Sequence, residues 1–559
     1  MRVTFVTCGL EHLGIEALSA WVRHAGHEPT LVYEARPFSS GSGTDSQLLA
    51  RLLDPRPEET AARVVATRPD VVAFTSYSVT HRWAIEVARA VKRHCEVPVV
   101  FGGPHVSAAP ERAIREWSID AVVEGEGEGA LVDLIECAER GRFGRTDAAN
   151  CTFKGDGAPV RNPVRRLLQD LDALPWADKD GFYDTVPAFE HEFYVVSRRG
   201  CPFRCSFCEY STFPKQYPGE KPVRRRSVEH LIGELASWKA RGRVRKVFFW
   251  DAIFTLDPKW MAEFAAAYRR EIGIPFECYT HPQTMTRDMA RLLAEAGCIM
   301  VRVGVQSVNS DTLAAVDRKG DREKVEQTLR FLGEHGVPYS VDHIIGLPGE
   351  GAADQIEALR FYAEVQPKRI VAHWMTYFPG TTALDQARAR GILDDADVER
   401  ILDGDVGPGY MFDGNKEYRD HDELRHLSGL FDLLPLLPRA ATEWLLDERR
   451  YRYLRGVGFL RQLGALALAI RGEPATREHV RHIMATTIDA TRAALRRKLG
   501  RPARRPVDPR PDAARLAGRP AAVAPGSHRR VVVDVSASSE WYTPAGRTPP
   551  LAPAPTDPA

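Results

Sequence analysis

The chain has 559 residues, too many for one hydrophobic core, so several domains are expected. Hydrophobic residues make up 44%, an ordinary globular fraction. With 76 basic against 75 acidic residues, the charge gives no ground for nucleic acid or an anionic membrane as partner, and no apolar stretch approaches bilayer-spanning length.

The N-terminus, Met1-Arg-Val-Thr-Phe-Val-Thr7, enters a strand-like run at once and shows no signal-peptide pattern. Scattered free cysteines suit the cytosol, so a cytoplasmic location is expected. Residues 1–141 then alternate two periods. Strands are predicted at 3–7, 30–33, 70–75, 97–101 and 119–123, and helices at 15–24, 58–67 and 82–94, with Gly26 stopping the first helix. This alternation predicts an α/β domain with a doubly wound parallel sheet.

Ligands on such sheets bind outside the carboxyl ends of the strands. Here those ends read Ser76-Tyr-Ser78, Gly102-Gly-Pro-His105 and Gly125-Glu-Gly-Glu128. The hydroxyls of Ser76 and Ser78 suit polar groups. Gly102 and Gly103 let a ligand approach the backbone because no Cβ intervenes. Gly125 and Glu126 close the third end. Taken alone, such strand ends are equally well read as tight turns.

Residues 142–190 mix Gly, Pro, Asp and Arg with little periodicity and read as a linker. An apolar run then leads into Cys201-Pro-Phe-Arg-Cys205-Ser-Phe-Cys208. Three thiolates within eight residues cannot all pair as disulfides, but they can jointly hold an iron–sulfur cluster. A structural zinc site is the competing reading, yet zinc sites normally close with four ligands at paired spacings, and no second CxxC pair occurs. Cys8, Cys95, Cys137, Cys151, Cys278 and Cys298 stand singly among apolar residues, as small buried hydrophobes do.

The CxxxCxxC motif, with Phe207 before its last cysteine, resembles the signature of the radical S-adenosylmethionine (radical SAM) enzymes. That resemblance implies a [4Fe-4S] cluster on Cys201, Cys205 and Cys208. Its open iron would chelate S-adenosylmethionine and release a 5′-deoxyadenosyl radical. A flavodoxin-like domain ahead of such a motif resembles the cobalamin-binding members of the family. The segments Leu13-Gly-Ile-Glu-Ala-Leu-Ser-Ala20, Gly102-Gly-Pro-His105 and Gly125-Glu-Gly-Glu128 resemble their N-terminal pattern. Cobalamin proteins often carry a DxHxxG motif with a cobalt-binding histidine. The turn here, Gly9-Leu-Glu-His12-Leu-Gly14, has one residue too few between His and Gly, and His12 reads first as a solvated loop residue.

From 191 to 395 strands are predicted at 194–197, 246–250, 277–280, 300–305, 339–345 and 370–377, which fits the family's partial (β/α)6 barrel. Barrel chemistry gathers at the carboxyl ends of strands. Asp251, Gln306, Ser307 and Gly346 stand there, and Arg302 is a candidate partner for a carboxylate. By resemblance, Gln306 and Ser307 hydrogen-bond S-adenosylmethionine and the Gly346 backbone lies under its adenine; each is otherwise a turn or capping residue. Residues 396–500 predict helices at 418–432, 441–463 and 477–499, expected to pack at the barrel mouth and shape a substrate pocket. Trp374, Tyr377 and Tyr410 are candidate pocket residues, more often core. Residues 501–559 read as mostly disordered, with 531–535 a possible docking strand.

The resemblance implies a cobalamin-dependent radical SAM methyltransferase acting on an unactivated centre of a small-molecule or peptide substrate. An external one-electron donor such as flavodoxin or ferredoxin is implied with it. A cobalamin radical SAM enzyme that cyclises, rearranges or oxidises without methylating shares every motif. A non-catalytic cobalamin-binding regulator is disfavoured by the intact cysteines.

Overall fold

The computed structural model describes residues 1–36, 53–144, 147–406, 414–416, 418, 420–453, 467 and 474–499. Two parallel sheets carry the architecture. The first contains β1 (Arg2–Cys8), β2 (Glu28–Glu34), β3 (Val71–Thr75), β4 (Val99–Gly102) and β5 (Ala121–Val123), all parallel, in the order β2-β1-β3-β4-β5. That is the flavodoxin-like order, whose direction of growth reverses between β1 and β3. β1 is buried along nearly its whole length, as a strand covered by helices on both faces must be. The helix His81–His94 shows why its residues belong there. Trp83, Ala84, Val87, Ala88, Ala90 and Val91 face the sheet, and Lys92, Arg93 and His94 sit at the negative end of its dipole.

The expected linker is part of the fold. β6 (Cys151–Phe153) pairs antiparallel with β5, and β7 (Val160–Arg161) pairs antiparallel with β6. Arg161 closes this edge on the buried Glu124 carboxylate at 2.6 Å. Further along, Lys179 Nζ donates to Glu11 Oε1 at 2.9 Å and Glu16 Oε2 at 2.5 Å, with all three side chains fully buried. A three-residue strand amid Gly, Pro and Asp has too little periodicity to announce itself.

The second sheet has six parallel strands in chain order: β8 (Glu192–Val195), β11 (Lys246–Phe249), β12 (Phe276–Thr280), β13 (Cys298–Gln306), β14 (Tyr339–Ile345) and β15 (Arg369–Trp374). It is the expected open barrel. Between β8 and β11, β9 (Arg198–Arg199) and β10 (Arg224–Arg225) form a small antiparallel ribbon. Opposite charges fill the barrel near the strand beginnings. Lys246 bridges Glu192 at 2.9 Å and Glu277 at 2.8 Å, and Arg302 Nη2 reaches Glu277 at 3.3 Å. Arg302 is thus occupied inside the barrel.

The C-terminal helices divide between two places, the first starting at the carboxyl end of β15, where His421 packs on Trp374. His421–Leu433 packs on the helix Ala352–Val365 and on β15. Pro474–Lys498 packs on the turn Pro187–His191 and reaches the first sheet, where Arg497 pairs with Glu34 and Lys498 with Glu59. The described part of the middle helix runs Arg439–Leu446. Trp374 and Tyr377 are core residues, 5% and 2% exposed. Tyr410 and residues 501–559 lie outside the described residues. Among the described residues no helix is long and apolar enough to cross a membrane.

Candidate active site where the two sheets meet

The cysteine loop is anchored before it begins. At the end of β11 the buried Asp251 carboxylate accepts from Ser197 N at 2.9 Å, Ser197 Oγ at 3.1 Å and Arg198 N at 2.7 Å. Burial raises Asp251 to about 6, against the pull of Arg198 and these donors. Gly200 follows at φ +89, where a Cβ would come within 1.9 Å of Pro222 O, so only glycine fits. The loop is then clamped to the barrel through Ser206 N to Val316 O at 2.9 Å.

Cys205 is buried, and Arg318 Nη1 donates to its Sγ at 3.5 Å. Burial pushes the thiols of Cys201 and Cys208 up to about 11 and about 12. Among the described residues no three His, Cys, Asp or Glu side chains converge as ligands of a single ion. A four-iron cluster asks for no such convergence, since each thiolate sits on its own iron. The surroundings fit a cluster and its chelated cosubstrate in a further respect. His281, at the end of β12, stacks on Phe203 of the loop with ring centroids 4.0 Å apart. Its Nδ1 accepts from Gln283 N at 3.1 Å, which leaves the proton on Nε2, buried and without a protein partner.

Across from this loop stand the strand ends of the first sheet. A cavity of about 1230 Å3 separates the two, above the roughly 300–1,000 Å3 of ordinary ligand pockets. Phe207, Cys208 and Trp250 line one wall; Ser78, Gly102, Gly103, Gly125 and Glu126 line the other. Gly14 also lines it, and a Cβ there would meet nothing within 4 Å. Tyr77, Val79 and Trp250, 38%, 42% and 44% exposed, gather on these walls, where large apolar faces otherwise have no reason to be open. The volume, the apolar faces and the side-chain-free Gly14 and Gly102 fit a large flat cofactor lying over the strand ends. No lining residue lies beyond Asp385, so the described C-terminal helices do not shape this cavity.

Several expected contacts have other partners. Ser76 is fully buried outside the lining, and its Oγ shares a hydrogen bond with His81 Nδ1 at 2.7 Å. Ser78 Oγ donates to His105 Nδ1 at 2.9 Å, while His105 Nε2 donates to Leu402 O at 3.1 Å. Gly125 N and Glu126 N donate to Ser107 Oγ at 3.0 Å and Tyr217 Oη at 2.8 Å. The Glu126 carboxylate takes Arg224 in bidentate fashion at 2.6 and 2.9 Å, and Arg199 reaches Glu128 at 2.5 Å. These ion pairs join the first sheet to the ribbon that carries the cysteine loop. Phe207 packs against the apolar cluster that contains Val316, Leu347 and Met375. Gln306 sits at φ +71, where the β13–β14 register slips. The Ser307 hydroxyl donates to Glu350, a carboxyl that burial raises to about 7. The Tyr418 ring covers Gly346, lying 3.0 Å from where a Cβ would be. His12 is half-buried and lies outside the lining. It stacks on Tyr77 at 5.1 Å, donates to Cys8 O at 3.3 Å, and burial lowers it to about 4.

The ion-pair joint yields one expectation. Glu126→Gln weakens both Arg224 bonds. Cobalamin and iron contents should then hold steady while turnover falls at least tenfold, as the loop loses its set distance from the first sheet; unchanged turnover would show that the joint positions nothing.

Burial also lowers His81 and His343 to about 4, His105 to about 3 and His281 to about 2. The unfolded chain takes up protons near 6.5 that these native imidazoles refuse. Stability should therefore be full above pH 6.5 and fall steadily toward pH 4. Urea midpoints at pH 7.5 and 5.0 measure this, and equal midpoints would contradict it.

Residues 8–135 match the model of the B12 binding domain, and residues 195–362 match that of the radical SAM superfamily. The chain belongs to the cobalamin-binding radical SAM enzymes. The cofactors of this family are the [4Fe-4S] cluster, S-adenosylmethionine and cobalamin. An uncharacterized methyltransferase of Pyrococcus horikoshii, PH0819, is 28% identical over 58% of this chain and 71% of its own. The anaerobic magnesium-protoporphyrin IX monomethyl ester cyclase of Rubrivivax gelatinosus is 25% identical over 68% of each chain. Among solved structures, the radical SAM methyltransferase TsrM of Kitasatospora setae, with cobalamin and a [4Fe-4S] cluster bound, superposes with a TM-score of 0.58 at 17% identity. It covers 81% of this chain and 99% of that one.

Arg318, Lys179, and the pairing of Arg199 and Arg224 with Glu126 and Glu128 escaped the sequence reading. Each was visible only as a charge with no stated partner. The one local signal was Arg198-Arg199 placed directly before the cysteine loop.

Proposed function

We propose that this chain is a cobalamin-dependent radical SAM methyltransferase that methylates an unactivated carbon of a small molecule. The carrying observation is the shared cavity, with Cys208 and Phe207 on one wall and Gly102, Gly103 and Ser78 on the other. When bound, the cluster and S-adenosylmethionine supply a hydrogen-abstracting 5′-deoxyadenosyl radical, and cobalamin supplies the methyl group.

The chain's own residues hold and orient. In this reading Cys201, Cys205 and Cys208 are the cluster ligands, and residues 191–395 form the part that carries them. Residues 1–141 form the cobalamin part, with Gly102 and Gly103 against the cofactor. Asp251 and Gly200 set the loop's path, and the Arg199, Arg224, Glu126 and Glu128 lattice sets its distance from the first sheet. Trp250 and Tyr77 exclude water where a radical must not meet it. In this reading Gln306 contacts the cosubstrate, while Ser307 is held by Glu350 and Gly346 is covered by Tyr418. An external one-electron donor of the flavodoxin or ferredoxin class and a cytoplasmic setting complete the reading.

Cyclisation without methylation is the second reading, favoured by the similarity to the cyclase. Incubation with S-adenosylmethionine labelled in its methyl group separates the two. Label in the product supports methyl transfer; an unlabelled, altered product together with 5′-deoxyadenosine supports cyclisation.

A further inference from the structure

We infer that Arg318 is a positioning residue for the iron–sulfur cluster, holding a fixed positive charge on the sulfur of Cys205 and so easing the cluster's one-electron reduction. The inference rests on the proposed reading that Cys205 is a cluster ligand.

Arg318 is buried, and its Nη1 donates to Cys205 Sγ at 3.5 Å while Nη2 donates to Gly304 O. Among the described residues it has no carboxylate partner, so its charge is not neutralised locally as that of Arg199 is. Its seat is built in three ways. The Arg318 backbone N–H donates to Leu313 O at 2.9 Å, which fixes the turn that carries it. Val316 O accepts from Ser206 N at 2.9 Å, which clamps the same turn to the cysteine loop. Gly304 has no side chain; a Cβ there would lie 3.2 Å from Arg318 Nη2 and 2.9 Å from Gln306 Nε2.

Reduction adds one electron from an external donor to the cluster and makes its net charge more negative by one. No bond forms or breaks at Arg318 and no proton moves. A cation in a poorly hydrated site stabilises the more negative state. An N–H donor to a ligand sulfur draws electron density from the metals in the same direction. The two effects add.

The test is a potentiometric titration of the anaerobically reconstituted full chain with dithionite, followed by electron paramagnetic resonance. Arg318→Gln should lower the reduced-to-oxidised ratio at fixed potential at least tenfold, a shift of about 59 mV for a one-electron couple. Arg318→Lys, which keeps the charge, should recover part of it. Gly304→Ala, which leaves Arg318 in place but crowds it, should shift the ratio the same way by less. An unchanged midpoint in Arg318→Gln at normal iron content would overturn the inference. If that variant assembles no cluster, the Gly304→Ala protein decides, and a wild-type midpoint there would overturn it. A wild-type chain that assembles no four-iron cluster would instead sink the functional reading itself.

Discussion

Cys205→Ala should abolish 5′-deoxyadenosine formation while leaving cobalamin binding close to that of the unaltered chain. Two thiolates remain on the loop, and a cluster normally held by three or four cysteines is not retained by two. Cys205 is the buried member of the trio and the one that Arg318 touches, so its loss also strands a buried cation. The far wall is untouched. Gly102 and Gly103 belong to the end of β4, and Ser78 is held by His105, none of them through the loop. Iron, sulfide and cobalt analysis of the anaerobically reconstituted variant, with chromatography of the nucleoside, checks both halves. Loss of cobalt along with iron would mean that the two strand-end faces form one cooperative site.

Lys179→Ala should cost about 3–5 kcal/mol of stability, the usual penalty for removing one partner of a buried ion pair. Burial opposes the lysine's charge, yet Glu11 and Glu16 more than offset it and hold its pKa above the ordinary range. Burial raises Glu16 well above the usual carboxylate range, and Lys179 only partly offsets this. Without the lysine, two carboxylates stay buried with nothing to balance them. Glu16, already raised by burial, then loses the cation that partly offsets it, so the variant's deficit should be smaller at pH 5 than at pH 8, where it must ionise. Glu16→Gln should cost less, because Lys179 keeps Glu11 at 2.9 Å. Urea unfolding of each variant at the two pH values gives the comparison. A deficit below about 1 kcal/mol for Lys179→Ala, typical of an exposed pair, would show that water reaches the triad.

Both experiments probe the same design. Two sheets present their carboxyl ends to one cavity, and buried charges on the connecting segments keep those ends in place. Lys179 ties the segment after the first sheet to the helix Leu13–His24, and the arginine pairs tie the cysteine ribbon to the loop after β5.

Repeating local patterns were legible in the chain itself. A strand covered on both faces must be apolar throughout, so 3–7, 70–75 and 246–250 announced β1, β3 and β11 to within a few residues. Three cysteines in eight residues carried their chemistry without any fold, because thiolate density and spacing are properties of the chain. The glycines of the first sheet's strand ends were legible as residues, but not the reason for them: a Cβ on Gly103 would strike the Ser76 backbone at 2.8 Å and one on Gly125 the Tyr217 hydroxyl, neighbours that only the fold supplies.

Hydroxyl and carboxyl partners were not legible. Ser76, Ser307 and Glu126 looked like ligands because a polar side chain at a strand end needs a partner, and the chain alone does not say which. Folding brought His81, Glu350 and Arg224 to them from 5, 43 and 98 residues away. The helices after 420 showed the same limit, since an amphipathic stripe says that one face is covered but not by what.

Periodicity, then, determined the two α/β sheets, and the resemblance carried by the cysteine motif and the domain order implied the cofactor class. Only the tertiary structure decided which polar groups face the cavity and which hold the protein together. Apolar burial follows a pattern along the chain, whereas a charge or hydroxyl is satisfied by whichever distant group three-dimensional packing sets beside it.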